Sequence, residues 1–175
     1  GQALVGFERH VALRQAGGNH CHLALVGVPR ERAGLAAQAF RSAGRQLGWE
    51  FQALDAGLTG GKEGEDEEEE HGGKMGKGKE DEEQGHVQAA ARYADALADV
   101  AGDGEYFVAL LPGGASLARA IPRQERHQLQ FGRQVLAELV GTPERADWKA
   151  CLEGKDEAWV RSLKTEFEPL DFTEK

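Results

Sequence analysis

The sequence predicts an α+β fold, and three features of the 175-residue chain carry that prediction. Two apolar stretches flank a glycine turn near the amino terminus, the pattern of an antiparallel hairpin. Helix-period runs of apolar residues lie on both sides of a charged, glycine-rich segment. Two more short apolar runs, Tyr106–Leu111 and Ser116–Ile121, are parted only by a turn at Pro112, Gly113 and Gly114. Strand therefore follows strand, without the regular strand–helix alternation of a parallel α/β sheet.

Taken in order, Leu4–Leu13 reads as the first strand and Gln15–Asn19 as the turn, because glycine and asparagine accept positive φ. His20–Val28 returns as the second strand. Leu35, Ala36, Ala39, Phe40, Ala43 and Leu47 recur at helical spacing and Gly48 stops the helix. Trp49–Leu54 alternates like a short strand. Gly57–Gly85 is almost wholly glycine and charge. Ordering it would cost ~1–2 kcal/mol of backbone entropy per residue with little apolar return, so it predicts a disordered linker. Lys62–Glu83 holds eleven acids against four bases, so most of the net charge of -9 sits there and the rest of the chain is nearly neutral. The acidic total therefore does not exclude a polyanionic partner.

Beyond the linker, Val87–Ala101 is alanine-rich and predicts a helix ended by Gly102. Two strands follow. Phe131, Val135, Leu136, Leu139 and Val140 then make one apolar helix face closed by Gly141, and Thr142 before Pro143 predicts a capped short helix. Trp159, Leu163 and Phe167 mark a last helix. Glu168–Thr173 reads as an extended tail pinned by Asp171 and Phe172. Trp148 and Trp159 are expected as packing anchors and Cys151 as a small buried residue. The predicted division is 1–56, an acidic linker over 57–86, and 87–175.

Several function classes recede. No apolar run approaches the ~20 residues of a membrane helix, and no signal-peptide pattern opens the chain. Cys21 and Cys151 belong to no CxxC pair, so the sequence predicts neither a disulfide framework nor a zinc knuckle, and a reducing, intracellular setting. The initial Gly1 points to a fragment or processed product. No cofactor or metal is predicted.

Two segments carry chemistry. In a strand, residues two apart share a face, which groups His20, His22 and Ala24 against Cys21, Leu23 and Leu25. The second group is apolar and is expected to face the core. Two neighbouring imidazoles can hold a phosphate or do nucleophilic chemistry; a metal needs a third ligand, and none is evident. His22 and His20 are thus the candidate catalytic residues, with an ordinary half-exposed pair as the alternative. Arg119, Arg123, Arg126 and Arg133, interleaved with Gln124, Gln128, Gln130 and Gln134, are the candidate RNA- or phosphate-binding residues, since guanidinium pairs bidentately with phosphate. A docking surface for an acidic protein is the alternative there.

The run HCHLALV, His20–Val26, resembles the histidine-triad (HIT) pattern. In that superfamily the middle histidine attacks a nucleotide α-phosphate and carries it covalently. The resemblance puts His20 at the first position, His22 at the nucleophile and Ala24 at the third, where alanine donates no hydrogen bond. QLQFGRQVLAEL (Gln128–Leu139), then Asp147, Trp148, Lys149 and Cys151, then FEPLDFT (Phe167–Thr173) resemble, in that order, the C-terminal module of CwfJ-like proteins. In that family a HIT-like domain immediately precedes the module, and Phe7, Glu8, Arg9 and the hairpin ending at Val28 and Pro29 fit its latter half. The resemblance implies a partial HIT-like domain over 1–56 and the CwfJ C-terminal module over 87–175. It also implies that strands and a helix ahead of Phe7 are missing, leaving an exposed sheet edge and unburied apolar residues near Leu4, Val5 and Phe7. It implies a non-enzymatic, nuclear RNA-processing factor whose partners are spliceosomal proteins, the lariat-debranching enzyme and RNA. The alternative is a HIT-type nucleotide hydrolase or transferase with a histidine nucleophile.

Overall fold

β1 (Gln2–Ala12) and β2 (Asn19–Pro29) pair antiparallel along their whole length, from Gln2 opposite Pro29 to Ala12 opposite Asn19. The computed structural model describes residues 1–12, 19–54, 78–153 and 155–170, so most of the predicted hairpin turn lies outside them. A single turn of helix, α1 (Arg30–Ala33), leads into α2 (Ala36–Gln46), which ends before Gly48 at φ 73°. Of the strand predicted over Trp49–Leu54, only Gln52–Leu54 is strand (β3); Trp49 and Phe51 instead turn into the core.

The segment read as a linker over 57–86 is corrected at its end. Helix α3 begins at Gly78 and runs to Ala101, where the prediction began it at Val87. Glutamate, lysine and glutamine are good helix formers, and they extend the alanine-rich stretch toward the amino terminus. Residues 55–77 lie outside the described set. β4 (Glu105–Leu110) and β5 (Ser116–Ile121) follow, joined by a 3-10 turn with Gly113 and Gly114 at positive φ. α4 (Phe131–Val140) closes on Gly141 at φ 81°. The short helix after Thr142 is 3-10, Pro143–Ala146, and Thr142 gives it no side-chain cap. α5 (Glu157–Phe167) is capped by Asp156, whose carboxylate accepts from the Trp159 N–H at 3.0 Å. Glu168–Leu170, expected extended, is a 3-10 turn, and Asp171 to Thr173 lie outside the described residues.

The five strands among the described residues form one antiparallel sheet, β2-β1-β4-β5-β3. It takes β1, β2 and β3 from before the 57–86 segment and β4 and β5 from after it. The boundary read there divides the sequence and not the sheet. One face packs under α1, α2 and α4, around Val5, Phe7, Phe40, Phe107 and Phe131. The other packs Leu54, Val108 and Ala118 beneath Tyr93, Ala96, Leu97 and Val100 of α3.

This two-sided burial inverts the predicted orientation of β2. Arg9 pairs with His22 and Phe7 with Ala24, so His22 lies on the α4 side of the sheet. Leu23 and Leu25, expected in the core, are 57% and 49% exposed. β2 is an edge strand, and α3 packs on β5 and β3 at the far side of the sheet without reaching it. Of the residues expected unburied, Leu4 is exposed, whereas Val5 and Phe7 are buried under α4. The tryptophans also trade roles. Trp148 and Trp159 are exposed and Trp49 is buried, its ring meeting Phe131 edge-on at 4.7 Å.

Candidate functional site

Strand register assembles the polar side chains under α4. Arg9 on β1 stands opposite His22 on β2 and Phe107 on β4, and Phe107 stands opposite Arg119 on β5. A row His22–Arg9–Phe107–Arg119 therefore crosses four adjacent strands. His20 takes the register position opposite Val11, two pairs further along the hairpin. Two concavities open beside α4, the first of them over His22.

The first, of about 380 Å3, lies over His22. Phe7, Ala24 and Val26 form its floor, Leu136, Ala137 and Val140 of α4 one wall, and the chain from Thr142 to Trp159 the other. The His22 ring stacks on Phe7 at 5.7 Å, which fixes its plane. Arg133, Arg145 and Lys155 also line the cavity, and none of its described lining residues is acidic. Arg133 is held by two bonds: its Nε donates to the Arg145 carbonyl at 3.0 Å, and Nη2 donates to Cys151 Sγ at 3.4 Å. Cys151 is thus half-buried in a polar setting, not the inert core residue expected. Lys155 lies 4.7 Å over the Trp159 ring. The buried Thr142 hydroxyl has no protein partner. Ala24 lies in the floor beside His22.

The second concavity lies at the amino-terminal end of α4 and takes Arg123, Arg126, His127, Gln128, Gln130 and Gln134 among its lining residues. The four predicted arginines therefore part company. Arg133 joins His22. Arg123 and Arg126 are exposed beside the second concavity. Arg119 is buried, paired with Glu125 at 2.5 and 2.8 Å, and stacked 4.2 Å over Trp49. Arg119 is thus engaged in holding the β5–α4 connection to the sheet.

Sequence reasoning missed Arg9, Arg145 and Lys155, and saw His127 only as a member of the basic stretch. Arg9 carried a usable signal: it alternates with Val5 and Phe7 on the strand that pairs with the histidines. The cations beyond Thr142 carried none, because the path of that loop depends on packing. Burial lowers the Arg9 pKa. Burial, and then the Arg119 and Arg9 charges, pushes His127 down to about 4, so its imidazole is neutral at pH 7. No group of three or more potential metal ligands occurs among the described residues.

Residues 82–173 match the family described as "Protein similar to CwfJ C-terminus 2". The chain belongs to this CwfJ C-terminal family. It is similar to CWF19-like protein mug161 of Schizosaccharomyces pombe, 40% identical over 70 residues, 39% of this chain and 12% of that protein. Mouse CWF19-like protein 1 is 43% identical over 72 residues, 39% of this chain and 13% of that protein. The rice zinc finger CCCH domain-containing protein 59 is 26% identical over 138 residues, 79% of this chain and 18% of that protein. That longer match exceeds the 92 residues of the CwfJ C-terminal segment, so it takes in residues outside 82–173. The chain spans between 12% and 18% of the length of these three relatives.

Proposed function

We propose that this chain is part of a nuclear RNA-processing factor that acts with spliceosomal proteins and the lariat-debranching enzyme, and that it holds RNA phosphate without cleaving it. The observation that carries this reading is the His22 cavity. It combines three cations, no acidic described lining residue and a buried Thr142 hydroxyl without a protein partner. A phosphodiester supplies acceptors for all of these, and the apolar floor of Phe7, Ala24 and Val26 suits a sugar or base face. Membership of the CwfJ family supports the splicing context. The wild-type chain should bind branched and linear RNA with affinity that falls steeply with salt. Replacing Arg133 and Lys155 with glutamine should weaken binding and reduce the salt slope by ~0.7 for each single-strand phosphate no longer neutralised. An unchanged slope would remove this cavity from the reading.

One observation favours a second reading, a nucleotide hydrolase or transferase: His22 faces the same cavity as Arg133. A nucleophile also needs an orienting base or acid and a clamp on the developing charge. Ala24 occupies the floor where a third imidazole would supply part of that. Incubation with adenosine nucleotides followed by mass spectrometry separates the readings. A phosphoramidate adduct that disappears in His22→Ala would establish catalysis, and its absence retires it.

A further inference from the structure

The β5–α4 connection, residues 122–130, is anchored to the sheet at two points. Glu125 accepts both bonds from Arg119, and Arg9 Nη1 donates to the Leu129 carbonyl at 2.6 Å. Between these anchors His127 turns inward. Its ring stacks on Trp49 at 5.0 Å and 15° and lies 5.7 Å from Phe107. His127 is only 9% exposed, and neither ring nitrogen has a protein partner. Arg9, 8% exposed, pairs with no carboxylate among the described residues, and its Nε is also unpartnered.

Two buried arginines and a histidine thus lie together, and Arg119 takes the Glu125 carboxylate. A buried cation without a counter-charge and a buried donor without an acceptor are both costly. Buried polar groups elsewhere in folded proteins are nearly always satisfied, so a cluster of exceptions calls for a missing partner. The space above it is a cleft of about 910 Å3 whose rim carries the exposed Arg123 and Arg126. Glu105 is its other acidic lining residue. Gln128, Gln130 and Gln134 add amides that both donate and accept, which suits a ribose or base edge.

We propose that this cleft is a second phosphate subsite for single-stranded RNA, filled by the same strand that occupies the His22 cavity. The proposal rests on the reading that the His22 cavity takes RNA phosphate, and extends it. The strand passes around the amino-terminal end of α4, where Arg133 lines the first concavity and Gln130 and Gln134 line the second. One nucleotide cannot fill both concavities; several can.

The test compares a labelled dinucleotide with a long oligouridylate on the 175-residue chain, by fluorescence anisotropy over a range of salt. The double variant Arg123→Gln, Arg126→Gln should weaken the long strand severalfold, lower its salt slope by ~0.7 per phosphate released, and leave the dinucleotide unchanged. His127→Phe keeps the stack on Trp49 and removes the polar nitrogens. It should raise thermal stability while weakening the long strand, a pair of effects that a merely structural histidine would not produce. Equal losses for dinucleotide and long strand, or none for either, overturn the second subsite. So does displacement of the long strand by a polyglutamate peptide as readily as by unlabelled RNA, which marks a surface for acidic protein. A long strand that binds through Arg123 and Arg126 while the dinucleotide fails to bind and Arg133→Gln has no effect keeps the cleft and overturns the His22 cavity.

Discussion

α4 and α5 are helices of nearly equal length, ten and eleven residues, and each carries an apolar stripe at helical spacing. α4 buries Phe131, Gly132, Val135, Leu136, Ala137 and Leu139. α5 buries nothing: Trp159, Leu163 and Phe167 are 40%, 49% and 60% exposed. The difference does not lie in amphipathicity. It lies in what the sheet offers each helix. α4 sits over Phe7 and Phe107, whose rings stack at 5.5 Å, and Gly132 allows its backbone to descend onto Phe7. α5 has only the rim of the His22 cavity beneath its first turn, reached by Trp159. A hydrophobic period specifies a helix, while its partner is specified by shape elsewhere in the chain.

Removing the anchor of α4 gives the largest effect. Phe131 meets Phe40, Trp49, Phe51 and Phe107, all within 6.2 Å of its ring centre. Phe131→Ala should cost ~3–5 kcal/mol, a large part of a typical domain's whole stability. Urea denaturation should show the lower midpoint. A loss under ~1 kcal/mol would mean that α4 is no more essential than α5.

Gly132→Ala tests the same packing from the opposite side. A Cβ there would come within 2.5 Å of the Phe7 ring, so helix or ring must shift. Overpacking of this kind costs ~1–3 kcal/mol, although alanine is the better helix former. Because Phe7 also carries the His22 ring, the variant should weaken dinucleotide binding as well as lower the denaturation midpoint. Its α5 counterpart, Ser162→Ala, should do neither.

Acid probes the loop that links the sheet to α4. The folded-state pKa of His127 lies near 4, below its ordinary 6.5. The native protein therefore binds fewer protons than the unfolded chain between these values. The stability held by the neutral ring is fully present above about pH 6.5 and is lost as pH falls from there through 4. Denaturation midpoints measured across this window should decline in the wild type and flatten in His127→Phe. Identical pH profiles would show that the ring is as accessible to protons as any residue of α5.

Much of this contrast was legible from the residues, and the remainder was hidden for physical reasons. Glycines at 48, 102, 113 and 141 mark ends and turns because each stands at positive φ, a local property. The helix face of Phe131 was readable for the same reason, by spacing alone. The orientation of β2 was not. Both of its faces are largely apolar, and the side that is covered depends on how far α3 reaches across the sheet. Trp159 looked like a core anchor because size is readable and location is not. Trp49, next to a glycine and outside any helix period, is the tryptophan that entered the core. The His22 cavity was half legible: the imidazole was visible, whereas Arg145 and Lys155 reach it only along the folded path of the chain after α4.

The cap of α5 gives a smaller, local effect. Asp156→Ala removes the acceptor for the Trp159 N–H and should cost that helix ~1 kcal/mol. Amide exchange within Glu157–Phe167 should quicken, while the global midpoint stays fixed, because a helix without buried residues opens independently of the core. A matching fall in global stability would show that α5 is coupled to the sheet after all.

The smallest effect is the sharpest test of the comparison. Leu163 lies on the apolar stripe of α5, but it is 49% exposed and does not line the His22 cavity. Leu163→Ser should move global stability by less than ~0.5 kcal/mol, where a leucine truncated in the stripe of α4, Leu136→Ala, should cost ~2–5 kcal/mol. Chemically similar truncations at equivalent helical positions would then differ several-fold, and the difference would measure the partner, since the helix-forming pattern is the same in both. RNA affinity separates α5 further. Trp159→Ala removes the ring beneath Lys155 and should weaken dinucleotide binding, whereas Leu163→Ser should not. If both variants leave binding and stability untouched, α5 has no part in the His22 cavity, and its wall ends at the 3-10 turns before it.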